Sequence, residues 1–152
     1  DDKIPQVRSG FIPVVPGLYK SIADARKLPY SNDSINRIVS GCLLLHLDNP
    51  LVVLEEWLRV LKDGGVIDTF IPNDQSLFVK LYRLLYSRRK ARKLGFKEFD
   101  LVNAYEHHTY YERIYRLVRG GFSEEMIEFH HFPPLLGNLT PLRAYSIMRL
   151  KK

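Results

Sequence analysis

The chain has 152 residues, of which 45% are hydrophobic and 26% charged, a balance typical of a folded globular domain and unlike that of a disordered protein. No apolar run approaches the roughly 20 residues that a membrane-spanning helix needs, and no basic stretch followed by an apolar core marks a secretion signal. Cys42 is the only cysteine, so an internal disulfide is excluded and a reducing, cytoplasmic location is expected. Together with the five histidines, this composition also argues against a structural metal site.

The formal net charge is +6, and the basic residues are unevenly distributed. Eight of the 23 Lys and Arg residues lie between Lys80 and Lys97, where there is no acidic residue, and the rest of the chain is nearly neutral. This segment could be a solvated helix face, a surface for anionic lipid or a lipid-linked substrate, or a contact for nucleic acid. Nucleic acid has the least support, because the sequence contains no known RNA-binding module.

The first half of the chain reads as alternating strands and helices. Prolines and glycines make residues 1–18 irregular, and residues 19–152 form one domain. A short strand is expected over residues 19–25, followed by a polar turn. The apolar run over residues 37–45 is typical of a strand that is buried on both faces of a parallel sheet.

The clearest predicted helix begins at Pro50, with Asn49 as its N-cap. Apolar residues repeat at spacings of three and four along it, so Trp57 and Leu61 are expected to pack on the sheet. Gly64 and Gly65 are expected to end this helix, and a strand over residues 66–72 follows. The unit is a parallel strand–helix–strand crossover.

The second half contains two more helices and two strands. Helices are expected over residues 75–94, which include the basic segment, and over residues 110–119. Strands are expected over residues 126–132 and 143–150, joined by a loop that makes them antiparallel at a sheet edge. The fold class is therefore α/β, and ligands of such sheets bind beyond the carboxyl ends of the strands.

Residues at those strand ends resemble a known family. The pattern comprises Asp24-Ala25, Leu28-Pro29, His46 and the helix "LEEWLRVLKDGG", and the later segment "EHHTYYERIYRLVRGGF" fits as well. It is similar to class I S-adenosylmethionine-dependent methyltransferases of type 11. The resemblance implies a Rossmann-like sheet, mostly parallel with an antiparallel last strand.

Two departures from that family are visible. No strand followed by a glycine-rich loop is present, so the chain resembles the C-terminal two-thirds of the family fold with its N-terminal strands missing. Asn36 stands where the family usually has Asp. We therefore expect that S-adenosylmethionine binds weakly or not at all, and that an exposed sheet edge favours a homodimer or association with a missing segment.

The resemblance assigns roles to particular residues. Asp24 would accept a hydrogen bond from the adenine amino group, and the backbone N–H of Ala25 would face the ring. Gly41 and Cys42 would lie beneath the cofactor. From the residues alone, Asp24 could equally cap a turn and Gly41 could be a small packing residue.

A catalytic base is needed only if the acceptor is a weakly acidic hydroxyl or an ammonium group. His46 is the first candidate, with packing of its loop as the alternative, and His107 is the second. His130 and His131 are expected to point to opposite faces of a strand and to be structural.

The resemblance implies methyl transfer from S-adenosylmethionine to a small molecule, with a sugar or a lipid-linked glycan as candidate acceptors. The alternative is a noncatalytic binding module that kept the sheet and lost the cofactor site.

Overall fold

The computed structural model describes residues 17, 22–95, 109–135 and 138–152. Their elements are β1 (Ile35–Gly41), α1 (Pro50–Val60), β2 (Leu61–Pro72), α2 (Leu77–Tyr82), a π-helical segment (Arg83–Ser87), α3 (Arg88–Lys93), α4 (Tyr111–Gly121), β3 (Ile127–Phe132) and β4 (Tyr145–Lys151). The segments from Leu77 to Lys93 are continuous, and we call them helix 77–93. His107 and Lys97 lie outside the described residues.

The strands form one sheet in the order β1-β2-β4-β3. β1 and β2 are parallel, whereas β4 is antiparallel to both of its neighbours, β2 and β3. Three strands therefore run in one direction and the last strand runs against them. This confirms the predicted Rossmann-like sheet with its antiparallel last strand.

The core lies on one face of the sheet. Ile67 of β2 and Leu150 of β4 point to this face, where they pack with Trp57 and Leu54 of α1 and Ile114 of α4. The opposite face is much more open in the described part of the chain: Val39 is 73% exposed, and Phe70 and Ile147 are also exposed.

The helix α1 begins as predicted but ends earlier. The Asn49 side chain accepts a hydrogen bond from the Leu51 N–H at 3.2 Å and caps the helix. Leu61 is fully buried as expected, but it pairs with Ile35 as the first residue of β2. Assigning Leu61 to the helix was therefore wrong, because apolar spacing continues past the point where the backbone becomes extended.

Gly64 and Gly65 do not end a helix, which is a second correction. They belong to an irregularity in β2, where the register with β1 jumps from Leu61 to Val66. Gly64 has a φ of 74°, and a Cβ on Gly65 would lie 2.7 Å from the Leu61 side chain and 3.0 Å from the Asn36 carbonyl. Only glycine fits this close approach of two strands.

One predicted strand has no counterpart among the described residues, and another is shorter than expected. Residues 22–25 lead into a turn, in which the Lys27 N–H donates to the Asp24 carbonyl at 3.0 Å, and residues 19–21 lie outside the described part. The run over residues 37–45 is extended only to Gly41. Cys42 then takes a left-handed φ of 60°, and Leu43–His46 form a 3-10 turn.

Candidate functional site

A cleft of about 740 Å³ opens where β1 ends. It is bounded on one side by the turn after residue 22 and on the other by the 3-10 turn and the start of α1. Its walls are formed by Ala23, Asp24, Ala25, Arg26, Leu43, His46, Leu47, Asp48, Asn49 and Val52. Three residues that the sequence singled out, Asp24, Ala25 and His46, thus line one cleft although up to 22 positions separate them.

Asp24 is held by a residue that the sequence analysis missed. The Arg26 N–H donates to Asp24 Oδ1 at 2.9 Å, and its guanidinium donates to both carboxylate oxygens at 2.8–3.2 Å. These hydrogen bonds lower the pKa of Asp24 to about 2. The group is therefore an ionised hydrogen-bond acceptor at neutral pH, on the exposed rim of the cleft.

The loop that carries Asp24 and Ala25 is tied to α1. Glu56 accepts a hydrogen bond from the Leu28 N–H at 2.7 Å and two from the Arg59 guanidinium at 2.7 and 2.8 Å. Arg59 also donates to the Tyr30 carbonyl at 3.1 Å. The Arg59 hydrogen bonds lower the pKa of Glu56 to about 2, so the anchor stays charged over the physiological range.

Gly41 and Cys42 lie just before the cleft. A Cβ on Gly41 would meet nothing within 4 Å, so open space adjoins its backbone. The Cys42 N–H donates to the Phe70 carbonyl at 3.1 Å, which anchors the chain reversal. Neither residue is among those lining the cleft, whereas Leu43 is. Their predicted place beneath a cofactor stays a prediction.

The histidines occupy different regions. His46 is the last residue of the 3-10 turn and reaches the cleft from an exposed position. His130 is exposed and His131 is partly buried, with its Nδ1 2.7 Å from Ser146 Oγ. The two side chains differ in exposure, as expected for adjacent strand residues.

A second, smaller cavity lies on the other side of the 3-10 turn. It measures about 180 Å³ and is lined by Leu45, Pro72, Asp74, Gln75, Thr109, Tyr110 and Tyr111. Thr109 is 4% exposed, and its Oγ1 has no hydrogen-bond partner among the described residues. A buried hydroxyl without a partner is costly unless a ligand or water satisfies it. No sequence pattern marked Thr109.

The wall behind this cavity is a buried polar network. Arg143 donates to the Tyr111 hydroxyl at 2.9 Å, and the Ser146 hydroxyl donates to the same oxygen at 2.9 Å. Burial raises the pKa of Tyr111, so its phenol stays protonated. The Arg143 guanidinium also lies over the Tyr111 ring, 5.1 Å from its centroid. Tyr111 is thus held rigidly at the start of α4.

The cleft fits the adenine end of S-adenosylmethionine in its chemistry. The apolar walls at Leu43, Leu47 and Val52 suit a planar ring, and the ionised Asp24 suits an exocyclic amine. The small side chain of Ala25 would leave room beside such a ring. Within the described ranges, no group of three or more His, Cys, Asp or Glu side chains is placed to hold a metal ion.

Comparison with known sequences points in the same direction. Residues 14–68 match the model of a methyltransferase domain family. Over 55 residues the chain is 40% identical to the ubiquinone/menaquinone biosynthesis C-methyltransferase UbiE of Coxiella burnetii, a match that covers 34% of this chain. That match spans only 22% of the length of the curated relative.

Solved structures extend the likeness to the whole sheet. A methyltransferase of Archaeoglobus fulgidus superposes with a TM-score of 0.53 at 12% identity, over 86% of this chain and 66% of that one. A Thermotoga maritima protein described as a possible histamine N-methyltransferase gives 0.51 at 20% identity, over 86% and 61%. Residues 14–68 are thus similar in sequence to a methyltransferase domain family, and the described sheet has the fold of S-adenosylmethionine-dependent methyltransferases.

Proposed function

We propose that this chain forms the adenine side of an S-adenosylmethionine site and that the protein transfers a methyl group to a small molecule. The observation that carries the proposal is the convergence of Asp24, Ala25 and His46 on one cleft at the carboxyl end of β1. These are residues that the family pattern places at the adenine and at the crevice. When bound, S-adenosylmethionine supplies an activated methyl group on its sulfonium.

The chain's own residues would bind and orient rather than react. Asp24 would accept a hydrogen bond from the adenine amine in exchange for one of those from Arg26, because each of its oxygens already accepts two. Val52 and Leu43 would enclose the ring, and Glu56 would hold the loop against α1. His46 would take a proton from the acceptor if that acceptor is a hydroxyl or an ammonium group.

The second cavity is the proposed acceptor site. Only the 3-10 turn separates it from the cleft, because Leu43 and His46 line one and Leu45 lines the other. Leu45 and Pro72 would contact the apolar part of the acceptor. A neighbouring hollow of about 340 Å³, which shares Gln75 and Tyr111, gives room for a sugar ring or the polar end of a lipid-linked glycan.

One observation favours the noncatalytic alternative. The Arg26 side chain already occupies both oxygens of Asp24, so an internal ion pair stands where the adenine amine would bind. In a binding module that had lost the cofactor site, this pair would simply stabilise the turn.

Equilibrium dialysis with S-adenosylmethionine distinguishes the methyltransferase proposal from the noncatalytic alternative. We expect saturable binding weaker than about micromolar, because the contacts proposed among the described residues are with the adenine end of the cofactor. Asp24→Asn should weaken it at least roughly tenfold, since a hydrogen bond to a charged acceptor is worth about 1.5–3 kcal/mol. Asp63→Asn, an equal change on an exposed carboxylate away from the cleft, should leave it unchanged.

The other outcomes have definite meanings. Absence of binding at about millimolar cofactor would support the noncatalytic module. Equal loss in Asp24→Asn and Asp63→Asn would show that the cleft is not the site. Binding at micromolar affinity or tighter would mean that further residues complete the pocket.

A further inference from the structure

Helix 77–93 presents its large apolar side chains to solvent. Seven of them in a stretch of ten residues are between 42% and 59% exposed: Leu77, Phe78, Leu81, Tyr82, Leu84, Leu85 and Tyr86. The partly buried or buried positions are Val79, Arg83, Ser87 and Ala91, which recur every four residues. The helix therefore rests on the protein along a valine, an alanine and two polar side chains and leaves its large apolar side chains exposed, the reverse of a surface helix that closes a core.

The apolar positions lie together. Leu77, Phe78, Leu81, Leu84 and Leu85 follow the spacing of one helix face. Tyr82 and Tyr86 flank it with their ring centroids 5.4 Å apart. A contiguous exposed apolar patch of this kind marks an interaction surface, because single exposed leucines are common on proteins but clusters of them are not.

The same helix is strongly cationic. It carries seven basic residues and no acidic one. Lys80 and the five basic residues of α3 (Arg88, Arg89, Lys90, Arg92 and Lys93) are exposed, while Arg83 pairs with Asp74 outside the helix at 2.8 Å. The apolar half and the cationic half are thus consecutive turns of one helix. A partner of this helix must therefore contact its apolar side chains and also carry negative charge.

We propose that helix 77–93 docks on an anionic lipid surface. The leucines and Phe78 would enter the boundary between headgroups and acyl chains, and the tyrosines would lie at headgroup level. The α3 side chains would contact lipid phosphates, each contributing a favourable electrostatic attraction. Nucleic acid would satisfy the positive charge but would leave the aliphatic cluster in water, so lipid accounts for both halves of the helix.

Docking on lipid would also orient the second cavity and the neighbouring hollow relative to the lipid surface. Asp74, the ion-pair partner of Arg83, lines the second cavity, and Lys80 lines the neighbouring hollow. The mouth of both would then lie beside the lipid surface, where an amphiphilic acceptor is concentrated. This consequence for the acceptor rests on the proposed function, whereas the docking itself does not.

Vesicle sedimentation without S-adenosylmethionine tests the docking. The chain should bind phosphatidylcholine vesicles that contain about 30% phosphatidylglycerol, and binding should fall steeply as salt rises above about 0.1 M. Replacing Arg89, Arg92 and Lys93 with Gln should lower the partition coefficient roughly a hundredfold. Replacing Lys27, Lys62 and Arg116, exposed residues outside the helix, removes the same charge and should change it less than about threefold.

A second pair of variants tests the apolar half. Leu81→Ser with Leu85→Ser should also lower vesicle binding at least roughly tenfold, since both substitutions lose apolar surface that docking would remove from water. The matched control is Leu135→Ser with Leu139→Ser, at exposed leucines far along the chain, and it should bind as the parent does. All four leucines are exposed, so folding is preserved.

Three results would overturn the docking. The first is equal, negligible sedimentation of the parent and the glutamine variant. The second is binding that Leu81→Ser with Leu85→Ser does not change, because the basic residues alone would then account for it. The third is lipid-free self-association that the same double variant removes, because a second copy would then cover the patch. Since cofactor is absent from these assays, their failure is distinct from failure of the methyltransferase proposal.

Discussion

The helices of this chain use large apolar side chains in opposite ways. In α1, Trp57 is 4% exposed, and in α4, Ile114 and Val118 are fully buried against the sheet. In helix 77–93, Leu85 is 51% exposed and Tyr82 is 58% exposed. One face of the sheet is thus covered by α1 and α4 without the leucines of helix 77–93. Large apolar side chains therefore stabilise the core in α1 and α4, whereas in helix 77–93 they are exposed and form the lipid contact that we propose.

Truncating a side chain in each kind of helix gives the largest expected contrast. Trp57→Ala should lower the free energy of unfolding by about 3–5 kcal/mol, because it opens a cavity in the core. Leu85→Ala should cost less than about 0.5 kcal/mol. Urea denaturation measures both. A loss below about 1 kcal/mol for Trp57→Ala would break the comparison, because α1 would then contribute little to the core.

Two tyrosines sharpen the comparison with a smaller effect. Tyr111→Phe removes the buried oxygen that accepts hydrogen bonds from Arg143 and Ser146. We expect a loss of about 1–3 kcal/mol. Tyr82→Phe on helix 77–93 is the matched control and should be neutral within about 0.5 kcal/mol. Equal stability of both variants in thermal unfolding would show that the network beside α4 does not stabilise the fold.

The smallest expected effect is a pH dependence of folding stability. It arises from His131, which lies on the side of the sheet that the helices cover. Burial, with added repulsion from Arg143, His130 and Arg119, lowers the pKa of His131 to about 4. An unfolded chain protonates this group near pH 6.5, so it binds more protons than the folded chain between these values. Stability should therefore fall as pH decreases from about 6.5 to 4, by about 1–2 kcal/mol after solvent screening.

Substitution separates the contribution of His131 to this pH-dependent loss of stability from the contributions of other groups. His131→Gln should remove most of the pH-dependent loss, whereas His130→Gln, at the exposed neighbour, should retain it. Urea midpoints across this pH range provide the measurement. An unchanged slope in His131→Gln would assign the loss to other groups.

Sequence patterns predicted the architecture well where periodicity and local signals agreed. The Asn49 cap, the Pro50 start and the strand–helix–strand order are all present, as is the antiparallel last strand. The end of α1 was missed, because Leu61 keeps the apolar spacing although its backbone is already extended. Gly64 and Gly65 are residues of the kind that commonly ends a helix. The positive φ of Gly64 and the close approach of Gly65 to β1 cannot be inferred from residue type.

The candidate site likewise contains residues that the sequence predicted and residues that it did not. Asp24, Ala25 and His46 could be brought together from the sequence because strand ends meet at one edge of the sheet. The Arg26 ion pair depends on the geometry of a turn, and the orphaned hydroxyl of Thr109 depends on how α4 is placed against the 3-10 turn. Neither has a signature in residue type or spacing. The exposure of the leucines in helix 77–93 likewise depends on which side of the helix meets the protein.

The most direct test of the account is to locate the cofactor by methyl-detected NMR. Titration with S-adenosylhomocysteine, the stable demethylated form, to about millimolar concentration should shift the methyl signals of Ala25, Leu43 and Val52 in a saturable manner. Signals from Ile114 and Leu150 in the core should not move, and Asp24→Asn should weaken the shifts. Absence of shifts at that concentration, or shifts confined to Leu45 in the second cavity, would contradict an adenine site in this cleft.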